Sequence, residues 1–268
     1  MGSFRVALLT RGHPHAFRIL ESVAARGGRI DCVVFERHTP DTRRGAFVLA
    51  LKRIKHSFQS FRIRSNIKAR FPGTVGRVVT TGPLNSASMV ADLEALNVDY
   101  LLLGGVGIIS EAIIDAAKKG VINSHPGLLP WMRNLGVVGR SLMGNVPLGG
   151  TVHFVNKGID TGAIIERRLL KPCPKMNNLA DCEDAAYGVI AEMMAGVVVD
   201  QLAKGRAPVS IEQSERFPPS TWLSESERKQ VDVALSSGLA ETLFEASRNL
   251  VEDVEKLRLP ANYSLPEN

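Results

Sequence analysis

Apolar positions along the chain fall into short blocks whose period keeps changing. Phe4–Thr10 (FRVALLT) is a compact apolar run closed by Gly12 and Pro14, which predicts a buried strand. Ala16–Ala25 spaces its apolar residues three and four apart and stops at Gly27-Gly28, which predicts a helix. Ile30–Phe35 (IDCVVF) predicts a second strand, and strand, helix, strand in this order predicts a βαβ unit with a right-handed crossover. Further on, Arg77–Thr80 predicts a short strand and Ala87–Leu96 a helix. Tyr100–Leu103 (YLLL) predicts a central strand bounded by Gly104-Gly105, and Glu111–Lys119 a helix closed by Gly120. Val121–Asn123 and the alternating Thr151–Val155 (TVHFV) add two strands. Gly188–Ala203 carries Val189, Met193, Val197 and Leu202 on one side and predicts a long helix ended by Gly205.

This exchange of periods predicts an α/β fold: a Rossmann-like, open, mostly parallel twisted sheet with helices on both faces. After Arg206 the composition turns polar and acidic around the loop-like Phe217–Trp222 stretch. The expected division is therefore a catalytic domain at 1–205 and a small C-terminal extension at 206–268. No repeat or low-complexity tract competes with it.

Charge changes the picture at one place. No acidic residue occurs between Asp41 and Asp92, while ten Lys and Arg residues lie between Arg43 and Arg77. Phe47, Leu51, Ile54, Phe58, Phe61 and Ile67 recur among them at helical spacing, which predicts a basic amphipathic helix or two inserted at 43–77. The formal net charge is +6, so without these ten cations the rest of the chain stands at −4. One basic insertion on a mildly acidic body points to a local anionic partner and away from nucleic acid. A solvated helical face and association with a membrane surface stay open as readings of the same stretch.

The 268 residues suffice for a full core, and 44% hydrophobic with 22% charged is an ordinary globular balance. Three scattered cysteines, Cys32, Cys173 and Cys182, make neither a disulfide framework nor a metal cluster, so no metal and a reducing, cytoplasmic setting are expected. Neither a leader peptide nor a stretch of transmembrane length is expected, and hence no stable membrane insertion. A homodimer contact through the tail is left open.

The chemistry concentrates in two segments. In VINSHPGLLP (121–130) a strand ends in polar residues and a stiff turn, and strand alternation puts Asn123 and His125 on one side at a strand's carboxyl end, where open α/β sheets bind ligands. In GGTVHFVNKGIDTG (149–162) a strand runs into a Gly-bracketed loop with one acid, Asp160. An amide, an imidazole and a carboxylate suit acyl transfer to an amine: negative charge develops on the acyl oxygen and the nucleophile must shed a proton. His153 reads equally well as a satisfied half-buried histidine and stays outside the catalytic set. His13 and His15 follow the first strand and suit either substrate contact or a solvated loop.

NSHPGLLP and GGTVHFVNKGIDTGAII together resemble the folate-dependent formyltransferase family, which includes glycinamide ribonucleotide, methionyl-tRNA and sugar N-formyltransferases; the likeness is dense from about Tyr100 to Ile165. The resemblance implies N10-formyltetrahydrofolate as the formyl donor, without a metal. It implies that Asn123 orients the formyl carbonyl, His125 stabilises the developing oxyanion, and Asp160 tunes His125 and helps relay the amine proton. It implies a pterin slot from the loops at 104–110 and 156–162. Gly105, Val106, Gly107, Ile108 and Ile109 would line one side and Asn156, Gly158 and Ile159 the other, with glycines for close approach and apolar walls for a flat ring. Arg11, His13, His15, Pro126 and Gly127 would meet the acceptor.

Two departures bear on that acceptor. Thr10-Arg11-Gly12-His13-Pro14 stands where the glycinamide ribonucleotide enzymes use a Gly-Asn-Gly-Ser-Asn type loop, and Arg133-Asn134-Leu135-Gly136 separates an Arg and Gly that many relatives keep adjacent. With no large barrel-like extension expected, the acceptor is expected to be a small-molecule amine on a nucleotide-linked amino-dideoxy sugar of polysaccharide biosynthesis. Hydroxyornithine of siderophore synthesis, glycinamide ribonucleotide, a formyltetrahydrofolate deformylase and a non-catalytic α/β module are the alternatives.

Overall fold

The computed structural model describes residues 3–36, 66–144, 146–171, 176–213 and 217–247. The basic insertion expected at 43–77 therefore lies outside the described residues up to position 65. The chain divides into two compact units, Met1–Ile122 with Ala195–Ala207, and Asn123–Met194 with Pro208–Asn268.

In the first unit β1 (Val6–Thr10), β2 (Ile30–Glu36), β3 (Val75–Thr81), β4 (Tyr100–Leu103) and the start of β5 (Gly120–His125) pair in parallel in the order β3-β2-β1-β4-β5. Every position of β1 and β4 is buried, which is why both are near-continuous apolar runs. Leu8, between Val33 and Leu102, is fully buried; burying one such side chain stabilises by roughly 1.5–3 kcal/mol. Helix α1 (Pro14–Ala25) opens with proline, for which the missing N–H is no loss in a first turn. It turns Ala16, Ile19, Leu20 and Val23 into the core. Helix α2 (Ala87–Leu96) is capped by Ser86, whose hydroxyl accepts the Met89 N–H at 3.2 Å.

Helix α3 (Glu111–Asp115) stops short of the Glu111–Lys119 stretch that periodicity predicts. The Lys118 and Lys119 N–H groups donate to the carbonyls of Val98 and Asp99 at 3.2 and 2.9 Å, so the chain leaves the helix to align with β4. The strand order reverses between β1 and β4, and their carboxyl ends are tied together. The Thr10 hydroxyl donates to the Gly104 carbonyl at 2.9 Å and accepts the Gly12 N–H at 3.0 Å. Open α/β sheets bind ligands at such a reversal.

In the second unit β6 (Gly149–Phe154) pairs antiparallel with β7 (Ile164–Leu169), with Thr151 opposite Arg167 and an irregularity between Val152 and His153. Helices α4 (Val137–Met143), α5 (Leu179–Gly196), α6 (Glu225–Ser236) and α7 (Leu239–Ser247) complete it. Leu142, Leu179, Cys182 and Ala186 share one apolar cluster with Leu223 and Leu235 of the tail. The mostly parallel α/β expectation holds, whereas α4 and β7 are additions to it.

Helix α5 begins at Leu179, nine residues before the expected Gly188, and runs on through a π turn at Val197–Gln201 and a 3-10 turn at Leu202–Lys204. The resulting Leu179–Lys204 stretch has 26 residues and contains an 18-residue window of mean hydropathy 1.3, enough by length and composition to cross a membrane. This corrects the expectation that no stretch reaches that length. Half of that window is buried inside the protein, where Ile190, Met193, Met194 and Val198 serve as core side chains. Cys32 and Cys182 are free and buried, while Cys173 lies outside the described residues.

Candidate active site

Strand β5 delivers Asn123 and His125 to the second unit, β6 delivers His153, and the following loop delivers Asp160. The His125 Nδ1 stands 3.6 Å from Asp160 Oδ2, and the His153 Nε2 stands 3.5 Å from Asp160 Oδ1. Asn123 Nδ2 lies 3.3 Å from the same His153 nitrogen. All three expected catalytic residues thus converge, and His153, left out of the set, joins them.

Hydrogen-bond partners assign the imidazole protons. His125 Nε2 is 2.7 Å from the Met132 carbonyl and His153 Nδ1 is 2.8 Å from the Phe154 carbonyl, so each of these nitrogens donates. His125 Nδ1 and His153 Nε2 are the nitrogens left facing Asp160, and the second also lies against the Asn123 amide. Burial drives the His125 pKa below the ordinary histidine value despite the field of Asp160, so its imidazole is neutral near pH 7. Burial also works against the charge of Asp160. His125, His153 and the Asn134 N–H outweigh it and hold the carboxyl well below the usual range.

Asp160 has a left-handed φ of +52°, which a non-glycine residue adopts only when its surroundings hold it. The Asn134 N–H donates to Asp160 Oδ2 at 2.8 Å, and the Gln213 amide donates to the carbonyls of Asp160 and Gly162 at 3.1 and 2.6 Å. The buried Arg133 guanidinium spans the Ile159 carbonyl at 2.6 and 3.0 Å and the Phe217 carbonyl at 2.7 Å. Arg133, Asn134 and Gln213 are the residues that sequence reasoning missed as supports of the acid. Arg133 and Asn134 were visible only as a shift from the family pattern, and nothing around Gln213 marked it.

The loop carrying Pro126 and Gly127 is braced from β6. The Thr151 hydroxyl donates to the Gly127 carbonyl at 2.7 Å and accepts the Leu129 N–H at 3.0 Å, and Arg167 donates to the Leu129 carbonyl at 3.1 Å. In the loop at 156–162, the Asn156 side-chain oxygen accepts the Gly158 N–H at 3.0 Å and the Thr161 hydroxyl at 2.6 Å, forming a tight turn that leaves Ile159 exposed.

The remaining expected residues lie in the first unit. Gly105 has φ +73°, and a Cβ there would overlap the His13 ring, so the two loops at the strand reversal meet over a position that only glycine fits. Asn85 braces the stretch Val106–Ile109 by donating to the Ile108 carbonyl at 2.9 Å and accepting the Ser110 N–H at 2.7 Å, and Ile108 is 73% exposed. Arg11 is exposed and pairs at 3.1 Å with the buried Glu36 carboxylate. His13 is exposed; His15 is buried on α1, where burial pushes its pKa down to about 3.

Residues 63–181 match the Formyl transferase family model. That stretch is similar to a formyl transferase domain. The matched stretch contains Asn123, His125, His153 and Asp160 as well as Gly105–Ile109. A methionyl-tRNA formyltransferase of Paramagnetospirillum magneticum is 28% identical over 183 residues, 68% of this chain and 55% of its own length. The chain spans about half the length of the curated relatives it matches. Among solved structures, a glycinamide ribonucleotide transformylase of Symbiobacterium toebii is 21% identical with a TM-score of 0.54, covering 78% of this chain and 94% of that one. A sugar N-formyltransferase of a Shewanella species is 13% identical with a TM-score of 0.53, covering 86% and 87%. These likenesses establish the fold.

Proposed function

We propose that the protein is a cytoplasmic N-formyltransferase that moves a formyl group from N10-formyltetrahydrofolate to the primary amine of a nucleotide-linked amino-dideoxy sugar. The observation that carries the reading is the ionised Asp160 carboxylate, 3.6 Å from Nδ1 of the buried His125 and 3.5 Å from Nε2 of His153. A proton arriving at His125 Nδ1 would form an ion pair with Asp160, so the acid favours proton uptake by the buried imidazole. The Asn123 amide donates toward charge developing on the formyl oxygen while His153 holds its plane. No covalent nucleophile is needed.

Each loop by itself suits the folate donor: in the first unit Gly105 admits close backbone approach and Ile108 is an exposed apolar side chain, and in the second unit Ile159 is another. Val106, Gly107, Ile109, Asn156 and Gly158 complete the proposed binding loops. When bound, the donor supplies an activated formyl group; the chain's part is to orient it, exclude water and take up the amine proton. The sugar half of the proposal rests on the first loop, where Arg11 and His13 replace a glycine-rich sequence and suit a diphosphate. The matched relatives act on different amines by name, so the acceptor is read from this chain's own loop. Residues 1–205 are taken as the catalytic domain and 206–268 as its extension.

The test is a transfer assay with N10-formyltetrahydrofolate and nucleotide-linked amino sugars, hydroxyornithine and glycinamide ribonucleotide in parallel. Formylation of a sugar amine is expected, with Asp160→Asn and His125→Ala each lowering the rate by about 10²–10⁴. Transfer only to another amine overturns the acceptor, and formate release without any amine overturns transfer in favour of hydrolysis.

A further inference from the structure

The amino ends of the parallel strands in the first unit border an open cavity, at the opposite end of the strands from the loops at Thr10–His15 and Gly104–Ile109. It measures about 470 Å³ and is lined by Arg5, Arg29, Asp31, Cys32, Gly76, Arg77 and Val98. Cys32 and Val98, 2% and 1% exposed, form an apolar floor, while Arg29 and Arg77 stand exposed above it.

Three guanidinium groups and one carboxylate leave this lining at +2. The acids at this end are spent on the backbone. Asp31 Oδ2 accepts the Val6 N–H at 2.9 Å, and Asp99 Oδ2 accepts the Arg5 N–H at 2.8 Å. Arg29 reaches Asp31 Oδ1 only at 3.8 Å, and Arg77 lies over the Cys32 thiol within hydrogen-bonding reach of it. Arg5 is anchored through the Leu96 carbonyl at 3.2 Å. Gly76 keeps the space open: a Cβ there would stand 2.6 Å from the Asp31 carbonyl and 3.0 Å from Arg29 Nη2.

We propose that this cavity is a binding site for a compact polyanion carrying a pyrophosphate group, separate from the transfer site. Forked guanidinium donors match phosphate oxygens two at a time, and a net +2 lining is matched by a diphosphate and not by a single carboxylate. The volume falls within the range of small-ligand sites, roughly 300–1,000 Å³.

The test is calorimetric titration of the full chain with inorganic pyrophosphate and with ADP, for the wild type, Arg29→Gln/Arg77→Gln, Arg29→Lys/Arg77→Lys and Arg11→Gln. Both probes are expected to bind the wild type, more weakly as salt rises. The double Gln variant is expected to lose about tenfold or more in affinity, the loss of one or more charge-assisted hydrogen bonds, with partial recovery in the Lys variant. Equal affinity for both probes assigns the site to pyrophosphate itself, and tighter ADP to a nucleoside diphosphate resting on the apolar floor. Unchanged binding in the double Gln variant, or loss in Arg11→Gln alone, places the anion at the opposite end of the strands and overturns the proposal. Both arginines are exposed, and circular dichroism of each variant separates a binding loss from a folding loss.

Discussion

In the Met1–Ile122 unit the strands β1, β2 and β4 bury mainly Val, Ala, Leu and Ile side chains, and the buried polar groups, Thr10, His15, Glu36, Thr74 and Thr81, sit at or beside strand ends. In the Asn123–Met194 unit the interior also holds His125, Arg133, His153 and Arg167, all at 9% exposure or less. Polar groups are costly to bury unless paired, and each of these donates to a backbone carbonyl: Met132, Ile159, Phe154 and Leu129 respectively. A segment that could have been apolar spends its interior on a polar network instead. What the contrast teaches is that the first unit is built for packing and the second to hold one acid, Asp160, in a backbone conformation it would not choose.

The comparison can be broken most forcefully by exchanging the kinds of damage. Asp160→Asn should cut formyl transfer by about 10²–10⁴ while moving the urea midpoint far less than a core deletion does. Leu102→Ala should cost about 2–5 kcal/mol in urea unfolding, since Leu102 is fully buried. If the Asp160 variant instead unfolds as readily as the Leu102 variant, the polar network is a stability device and the contrast fails.

Gln213→Ala sharpens it. The Gln213 amide donates to the carbonyls of Asp160 and Gly162 and so positions the acid. Its loss should lower kcat by about tenfold with KM for the donor nearly unchanged, the pattern of an interaction expressed in the transition state. A change confined to KM would make it part of the binding loop instead.

The smallest effect is in pH dependence. His15 and His125 have folded-state pKa values below the ordinary histidine value, so the unfolded chain takes up protons more readily. Stability should fall as pH drops below about 6.5. His15→Gln should flatten part of that fall between about pH 6.5 and the His15 native value of about 3. The Asp160 contribution has the opposite group and the same direction: present above about pH 3.9, it is lost as pH falls further toward its depressed native pKa. Urea midpoints measured across pH check both.

The legible parts of the chain were those where one local rule sufficed. FRVALLT and YLLL could be read as strands because strands buried on both faces need no alternation. VINSHPGLLP could be read as a site because two polar residues at a strand end break an apolar run. Strand β7 escaped because Glu166, Arg167 and Arg168 interrupt it, and Arg167 is buried only because it can reach the Leu129 carbonyl and lie over the Trp131 ring. The start of α5 escaped because after Leu179 its buried positions are the small residues Cys182 and Ala186. Helix α3 was overdrawn because bonds from Val98 and Asp99 end it, and those partners are distant in sequence.

By itself, then, the sequence determined the α/β alternation and the parallel core, because strand burial is a local property, and through its family resemblance it marked Asn123, His125 and Asp160 as candidates. Only the tertiary structure decided that His153 belongs with them. It also decided that Gln213, more than fifty residues from Asp160 in sequence, helps hold the acid at a left-handed φ. Which imidazole nitrogens face that acid was its decision as well, since a proton's position depends on a carbonyl elsewhere in the fold and no spacing along the chain encodes it.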